Sequence, residues 1–154
     1  MSITKLPLPL SVLEASRERI SWTLNNLPRV CISFSGGKDS TVMLHLAAEQ
    51  ARQNGKKFSV LFIDWEAQFS YTITHCQKLR ARYSDVIETF YWVALPLTTQ
   101  NSLTQFNPEW QCWAPGAKWV RQPPEDALTD PDFFPFYEQG MSFELFVQEF
   151  ADWF

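Results

Sequence analysis

The stretch "SFSGGKDS", residues 33–40, constrains the fold of this chain more than any other. It ends a short apolar run, "VCISF" at 30–34, and precedes a segment whose apolar residues recur at helical spacing. A run that short and that apolar suits a strand buried on both faces of a parallel sheet. Two glycines then turn the chain into a helix. A loop between a buried strand and a helix N-terminus presents unpaired backbone N–H groups at the positive end of the helix dipole, and anions bind there.

The loop side chains suit a phosphate. Gly36 and Gly37 let the backbone approach phosphate oxygens closely, Ser35 and Ser40 add hydroxyl donors, and Lys38 supplies a point charge. Asp39 is the odd member. A carboxylate beside a polyphosphate is repulsive unless a cation lies between them, so Asp39 points to magnesium and is the expected metal ligand. The spacing fits neither G-x-x-x-x-G-K-[ST] nor G-x-G-x-x-G. A plain glycine turn before a capped helix is the alternative.

The surrounding pattern repeats this unit. Ser11 and Glu14 have capping-box spacing, and Leu13, Ile20, Leu24 and Leu27 share a face, so a helix is expected over 12–27. A second helix is expected over 40–54, with Val42, Met43, Leu46, Ala47 and Ala51 inward and Gly55 as its cap. "FSVLFI" at 58–63 reads as a strand, 70–83 as a helix with Ile73, Cys76, Leu79 and Tyr83 inward, and 86–95 as a third strand. Strand, helix, strand, helix, strand implies an α/β fold with an open parallel sheet, right-handed crossovers and flanking helices.

From Pro96 the character changes: seven of the ten prolines and three of the seven tryptophans fall between 96 and 135. The segment 96–140 is expected to be irregular, yet its tryptophans are too apolar to leave in water, which favours an ordered lid or docking loop. Ser142 caps a terminal helix, 142–154, with Phe143, Phe146, Val147, Phe150, Trp153 and Phe154 in one stripe. That stripe either closes the domain core or meets a protein partner, a second copy or a missing carboxyl-terminal domain, and because the face is wide for a terminal helix association is the favoured expectation. The 154 residues suit a single domain, with its core over about 12–95.

Composition excludes other classes. A net charge of -4 offers no global basic field for nucleic acid. Neither a leader-like h-region nor a run of about 18 apolar residues occurs, so a cytoplasmic protein without a membrane span is expected. Cys31, Cys76 and Cys112 form no C-x-x-C pair, which argues against a disulfide framework and against zinc or iron–sulfur sites. Cys31 is expected in the core, Cys112 packed rather than nucleophilic, and His45 packed or capping.

"SGGKDS" after its strand resembles the PP-loop of the ATP pyrophosphatases, in the adenine nucleotide alpha-hydrolase-like superfamily. "VLFIDWEAQFSYT" is similar to the second strand and its exit in the phosphoadenosine phosphosulfate (PAPS) reductases. "DWEAQF", with "LPLTTQNSLTQFNPEWQCW" and "WVR", resembles a PAPS-reductase-like group that includes the immunoglobulin-binding regulator A proteins. The resemblance covers about residues 25–154. It implies a Rossmann-like sheet with an adenine nucleotide, ATP or PAPS, across the carboxyl ends of the strands, and Mg2+ at its phosphates. By the same resemblance Phe34, Ile63 and Asp64 would hold the adenosine, with Asp64 equally readable as a turn or capping residue, and Lys38 and Asp39 would be the catalytic residues, Lys38 and the bound Mg2+ stabilising the developing charge.

The chain departs from the family in lacking its C-terminal cysteine motif and in being shorter, as a shortened homologue or an amino-terminal piece would be. Two functions stay open. One is nucleotide-dependent sulfur transfer, reduction or adenylation; the other is a nucleotide-binding regulator that acts through a protein partner.

Overall fold

A computed structural model describes residues 9–101, 106 and 108–154. The start of the chain and part of the expected lid, 102–105 and 107, lie outside the described residues. Helix α1, Val12–Asn26, opens on the capping box: Glu14 N–H donates to Ser11 Oγ (3.2 Å) and Ser11 N–H to Glu14 Oε2 (2.8 Å). Strand β1, Cys31–Ser33, leads through the glycine loop into helix α2, Lys38–Asn54. That helix stops at Gly55, whose φ of 63° is the left-handed conformation of a C-terminal cap. Strand β2, Phe58–Ile63, helix α3, Ser70–Arg82, and strand β3, Ile87–Val93, complete the repeat.

The sheet order is β1-β2-β3 and both pairings are parallel. Two successive right-handed crossovers in the same direction place α2 and α3 on one face of the sheet. The buried clusters follow that rule. Val60, Phe62 and Trp92 pack with Leu44, Ala47 and Ala51 of α2 and with Ile73, Cys76 and Leu79 of α3. Leu61, Ile63, Tyr91 and Val93, which alternate with them along the strands, face the other way. Both faces of such a sheet must be covered, and no helix has yet covered the second.

The aromatic half of the chain supplies that cover. It contains a two-stranded antiparallel sheet, β4 Thr98–Gln100 with β5 Glu109–Gln111, then a 3-10 turn at Pro131–Phe133, then helix α4, Phe143–Trp153. Ser142 caps α4, accepting from Leu145 N–H at 3.2 Å. Cys112, Trp113, Phe134, Met141, Phe146 and Phe150 close over the second face, with Tyr91 and Phe150 edge to face at 5.3 Å. The segment read as an irregular lid therefore contributes to the core, through Leu97, Cys112, Trp113 and Phe134. Trp113 is buried, and Trp110 and Trp119 are half-buried, as expected of an ordered segment.

Three expectations are corrected. Val42 and Met43, expected inward, are 56% and 41% exposed. The inward stripe of α2 is Leu44, Ala47, Ala48 and Ala51, a regular i, i+3, i+4, i+7 set whose small residues suit close packing. In α1 only Leu24 is fully buried, while Leu13 and Leu27 are exposed. The third concerns only the inner part of the terminal stripe: Phe146 and Phe150, 0% and 4% exposed, meet the chain's own core, while Trp153 is 36% exposed. Among the described residues no helix is long and apolar enough to cross a membrane.

Candidate functional site

The loop after β1 is held open by its own hydroxyls. Ser35 Oγ and Ser40 Oγ are 3.0 Å apart, Gly37 N–H donates to Ser35 Oγ (3.3 Å), and Ser40 Oγ donates to Gly37 C=O (3.1 Å). Gly37 is the N-cap of α2 and, lacking a side chain, offers the helix no cap hydrogen bond. The first N–H groups of α2 thus have no side-chain acceptor from the N-cap, and Gly37, Lys38 and Asp39 are exposed around them. Helix α3 fixes the loop from behind. Gly36 sits at φ 75°, and a Cβ there would lie 2.9 Å from both Cys76 Sγ and Thr72 Cγ2. Only glycine satisfies both the backbone conformation and that contact. Thr41 Oγ1 and His75 Nε2, 3.0 Å apart, tie the first turn of α2 to α3.

Phe34 and Ile63, leaving β1 and β2, come together with Ser35 at a notch of about 80 Å³ roofed by Trp65 and Phe143. The Trp65 and Phe143 ring centroids are 5.1 Å apart. The ring of Phe34 packs on Phe62 and Phe90, at 6.1 and 6.5 Å. Beyond Trp65, whose ring centroid is 6.5 Å from that of Trp110, lies a cleft of about 500 Å³ lined by Trp110, Gln100, Gln111 and Lys118 among others.

Asp64 is turned inward. Its side chain is fully buried, Oδ1 accepts from Glu66 N–H (3.0 Å) and from Arg121 Nη2, and Oδ2 accepts from Trp92 Nε1 (2.8 Å). The Glu66 contact is an Asx turn, one of the two roles the sequence left open for Asp64. Glu66, 6% exposed, accepts from Trp113 N–H (2.6 Å) through Oε2 and from Val120 N–H (2.8 Å) through Oε1. Trp113 Nε1 donates to the Asp64 carbonyl (2.6 Å), and the Arg121 guanidinium lies 5.2 Å from the Trp113 ring centroid. The exit of β2 therefore grips the aromatic half of the chain. Sequence reasoning gave Glu66 and Arg121 no role, although both stand in the quoted motifs "DWEAQF" and "WVR".

Burial holds all three thiols above the ordinary cysteine range. Burial pushes Cys31 and Cys76 up to about 12 and Cys112 up to about 11. Cys112 is fully buried and directs its thiol at the carbonyls of Leu95 and Leu97, 3.4 and 3.5 Å away. Among the described residues no three His, Cys, Asp or Glu side chains converge as a metal site. A magnesium ion at Asp39 would take its other ligands from phosphate oxygens and water, which is how Mg2+ is held at nucleotide sites.

An Escherichia coli (strain K12) protein described as "Uncharacterized protein YbdN" is 74% identical over 154 residues, which is all of this chain and 38% of the relative. The chain thus spans well under half the length of that relative. The family model for the phosphoadenosine phosphosulfate reductase domain matches residues 29–114, from just before β1 through the loop, all three strands and the Trp113 contact. With more than half of the chain matched, including the glycine loop and the exit of β2, this protein belongs to the phosphoadenosine phosphosulfate reductase domain family.

Proposed function

We propose that the chain binds an adenine nucleotide, ATP or PAPS, with its phosphates on Ser35–Ser40. The observation that carries this reading is the uncapped, exposed start of α2 beneath a glycine that only φ 75° and α3 explain. Phosphate oxygens would accept from the loop N–H groups and the two serine hydroxyls, with Lys38 balancing their charge. Asp39 with Mg2+ would share that charge. Adenosine would enter at Phe34 and Ile63, which requires Trp65 and Phe143 to open the small notch, since nucleotide-sized ligands need about 300 Å³ or more.

The reaction class we infer is nucleotide-dependent group transfer, by adenylation or sulfur transfer to an acceptor in the cleft beside Trp110. In adenylation an acceptor oxygen attacks the α-phosphate and pyrophosphate leaves, and Lys38 would stabilise the departing charge. A second reading, a nucleotide-binding regulator acting through a protein partner, is favoured by the full burial of Cys76 and Cys112, which keeps both thiols away from an acceptor. Calorimetry with ATP, AMP and PAPS, with and without Mg2+, tests the first step. Binding that Lys38→Ala weakens at least about tenfold at unchanged melting supports the site; no heat with any of the three nucleotides removes it.

A further inference from the structure

Gln68 lines the notch where the base of a nucleotide would enter, and we propose that its carboxamide selects adenine by accepting a hydrogen bond from the 6-amino group. The residue stands in the turn between β2 and α3 and shares the notch with Phe34, Ile63, Trp65 and Phe143. Its Oε1 is shut off from water and has no hydrogen-bond donor among the described residues. Two buried nitrogens, Nε of Arg17 and Nε of Arg121, also lack a hydrogen bond, but their guanidiniums pair with Glu49 and Asp64. Of these three atoms only the Gln68 oxygen lacks a compensating group.

The turn that carries Gln68 is held on both sides. Glu66, two residues earlier, is fixed at φ 56° by the N–H groups of Trp113 and Val120, and Ala67 N–H donates to Trp65 C=O. Two residues later α3 begins, with Thr72 N–H donating to Phe69 C=O at 2.9 Å. A buried acceptor without a donor costs stability, and folded proteins satisfy nearly all such groups. One that persists in a held turn marks a place where a donor arrives from outside.

The base is the part of a nucleotide that can supply it. Phosphate oxygens only accept. Ribose hydroxyls donate, yet Phe34, Leu61, Ile63, Trp65 and Phe143 make apolar and aromatic walls that suit a flat ring rather than a hydroxylated sugar. Adenine presents a 6-amino donor beside the N7 acceptor, and a glutamine carboxamide matches that pair with its oxygen and its NH₂ group. Hypoxanthine and guanine present two acceptors on the same edge, O6 and N7. Whichever way the amide is turned, its oxygen then meets an acceptor. This selection rests on the nucleotide reading; the unpartnered oxygen does not.

The test is calorimetry with Mg2+ on the parent chain and on Gln68→Leu, comparing ATP with inosine triphosphate and AMP with inosine monophosphate. AMP is the part that ATP and PAPS share, and inosine lacks the 2-amino group of guanosine, so each pair isolates the purine 6 position. Pyrophosphate and 2′-deoxy-ATP are the further arms. The parent should bind the 6-amino member at least about tenfold more tightly, and Gln68→Leu should bring the pair within about twofold with pyrophosphate binding unchanged. Without ligand the variant should melt no lower than the parent, because the oxygen it removes has no donor to lose. Equal affinity for both members in the parent, or a preference that survives in Gln68→Leu, overturns the proposal and leaves the nucleotide site standing. A variant that melts several degrees lower and loses pyrophosphate as well overturns it too, making Gln68 a brace of the turn. Weakening of ATP but not of 2′-deoxy-ATP would hand the oxygen to the ribose. Silence toward every nucleotide and toward pyrophosphate removes the nucleotide reading, and this selection with it.

Discussion

Glu66 and Trp113, 47 residues apart, both hold left-handed backbone, at φ 56° and 52°, and the N–H of one donates to the carboxylate of the other at 2.6 Å. Such backbone is strained for any residue with a Cβ and more so for a bulky one, and it persists only where its surroundings hold it. Here the surroundings are each other. Glu66 Oε1 also accepts from Val120 N–H, so one side chain pins both ends of a loop over the sheet.

Glu66→Gln should therefore loosen this loop. The amide keeps one acceptor oxygen and turns an NH₂ group against the second backbone N–H, leaving a donor unpaired. A loss of about 1–3 kcal/mol in urea unfolding is expected, with faster proteolysis over 113–121. Unchanged stability and cleavage would mean that the aromatic packing alone holds the segment.

Arg121→Met tests the ion pair with Asp64. The methionine keeps an apolar stem and leaves the fully buried Asp64 without its cation. The expected cost is about 3 kcal/mol, and Asp64→Asn in the same background should recover part of it, since breaking a buried pair mostly penalises the charge left behind. Equal or additive losses in the double variant would show no coupling.

These contacts mark the limit of what the sequence discloses. The strand and helix repeat was readable because β1, β2 and β3 are apolar runs and α1 and α4 carry Ser11 and Ser142 caps. The glycine loop was readable from its letters. The inward face of α2 was readable in part: Ala47 and Ala51 are buried as expected, whereas Val42 and Met43, apolar in sequence, are exposed. Strands β4 and β5 are three residues each and carry no alternation to find. The Asp64, Glu66 and Arg121 network joins residues up to 57 apart, and no local pattern announces a pairing of that range.

Gly36→Ala and Gly37→Ala should differ sharply. At Gly36 the added methyl meets Cys76 and Thr72 at 2.9 Å with φ 75° besides, whereas at Gly37 it meets only Ser35 Oγ, at 3.3 Å. Loss of about 2 kcal/mol or more is expected for Gly36→Ala and little for Gly37→Ala. Denaturant midpoints measured side by side decide it; equal midpoints would mean that α3 yields to the loop.

His45 gives a pH dependence. Burial, reinforced by Arg82 and His75, holds its imidazole below the usual 6.5, and its Nδ1 pairs with the Tyr83 hydroxyl. A group with a depressed folded value binds fewer protons folded than unfolded between the two values. Its stabilising contribution is full above pH 6.5 and is lost as pH falls below it. Melting temperature should decline from about pH 7 to 5, and His45→Gln should flatten that decline. An identical slope in the variant would assign it to other groups.

Phe150 bears on whether α4 serves the core or a partner. It is 4% exposed and touches Tyr91 at 5.3 Å and Phe134 at 6.0 Å between centroids, so truncation leaves a cavity inside the chain. Phe150→Ala should cost about 3–5 kcal/mol. Because those neighbours belong to the same chain, the loss should appear in urea unfolding while sedimentation at micromolar concentration stays as in the parent. Trp153, 36% exposed, is the part of the stripe still open to another surface, and Trp153→Ala is the better probe of association. If the parent sediments as a dimer and Phe150→Ala, still folded, becomes a monomer, α4 holds an interface as well as the core.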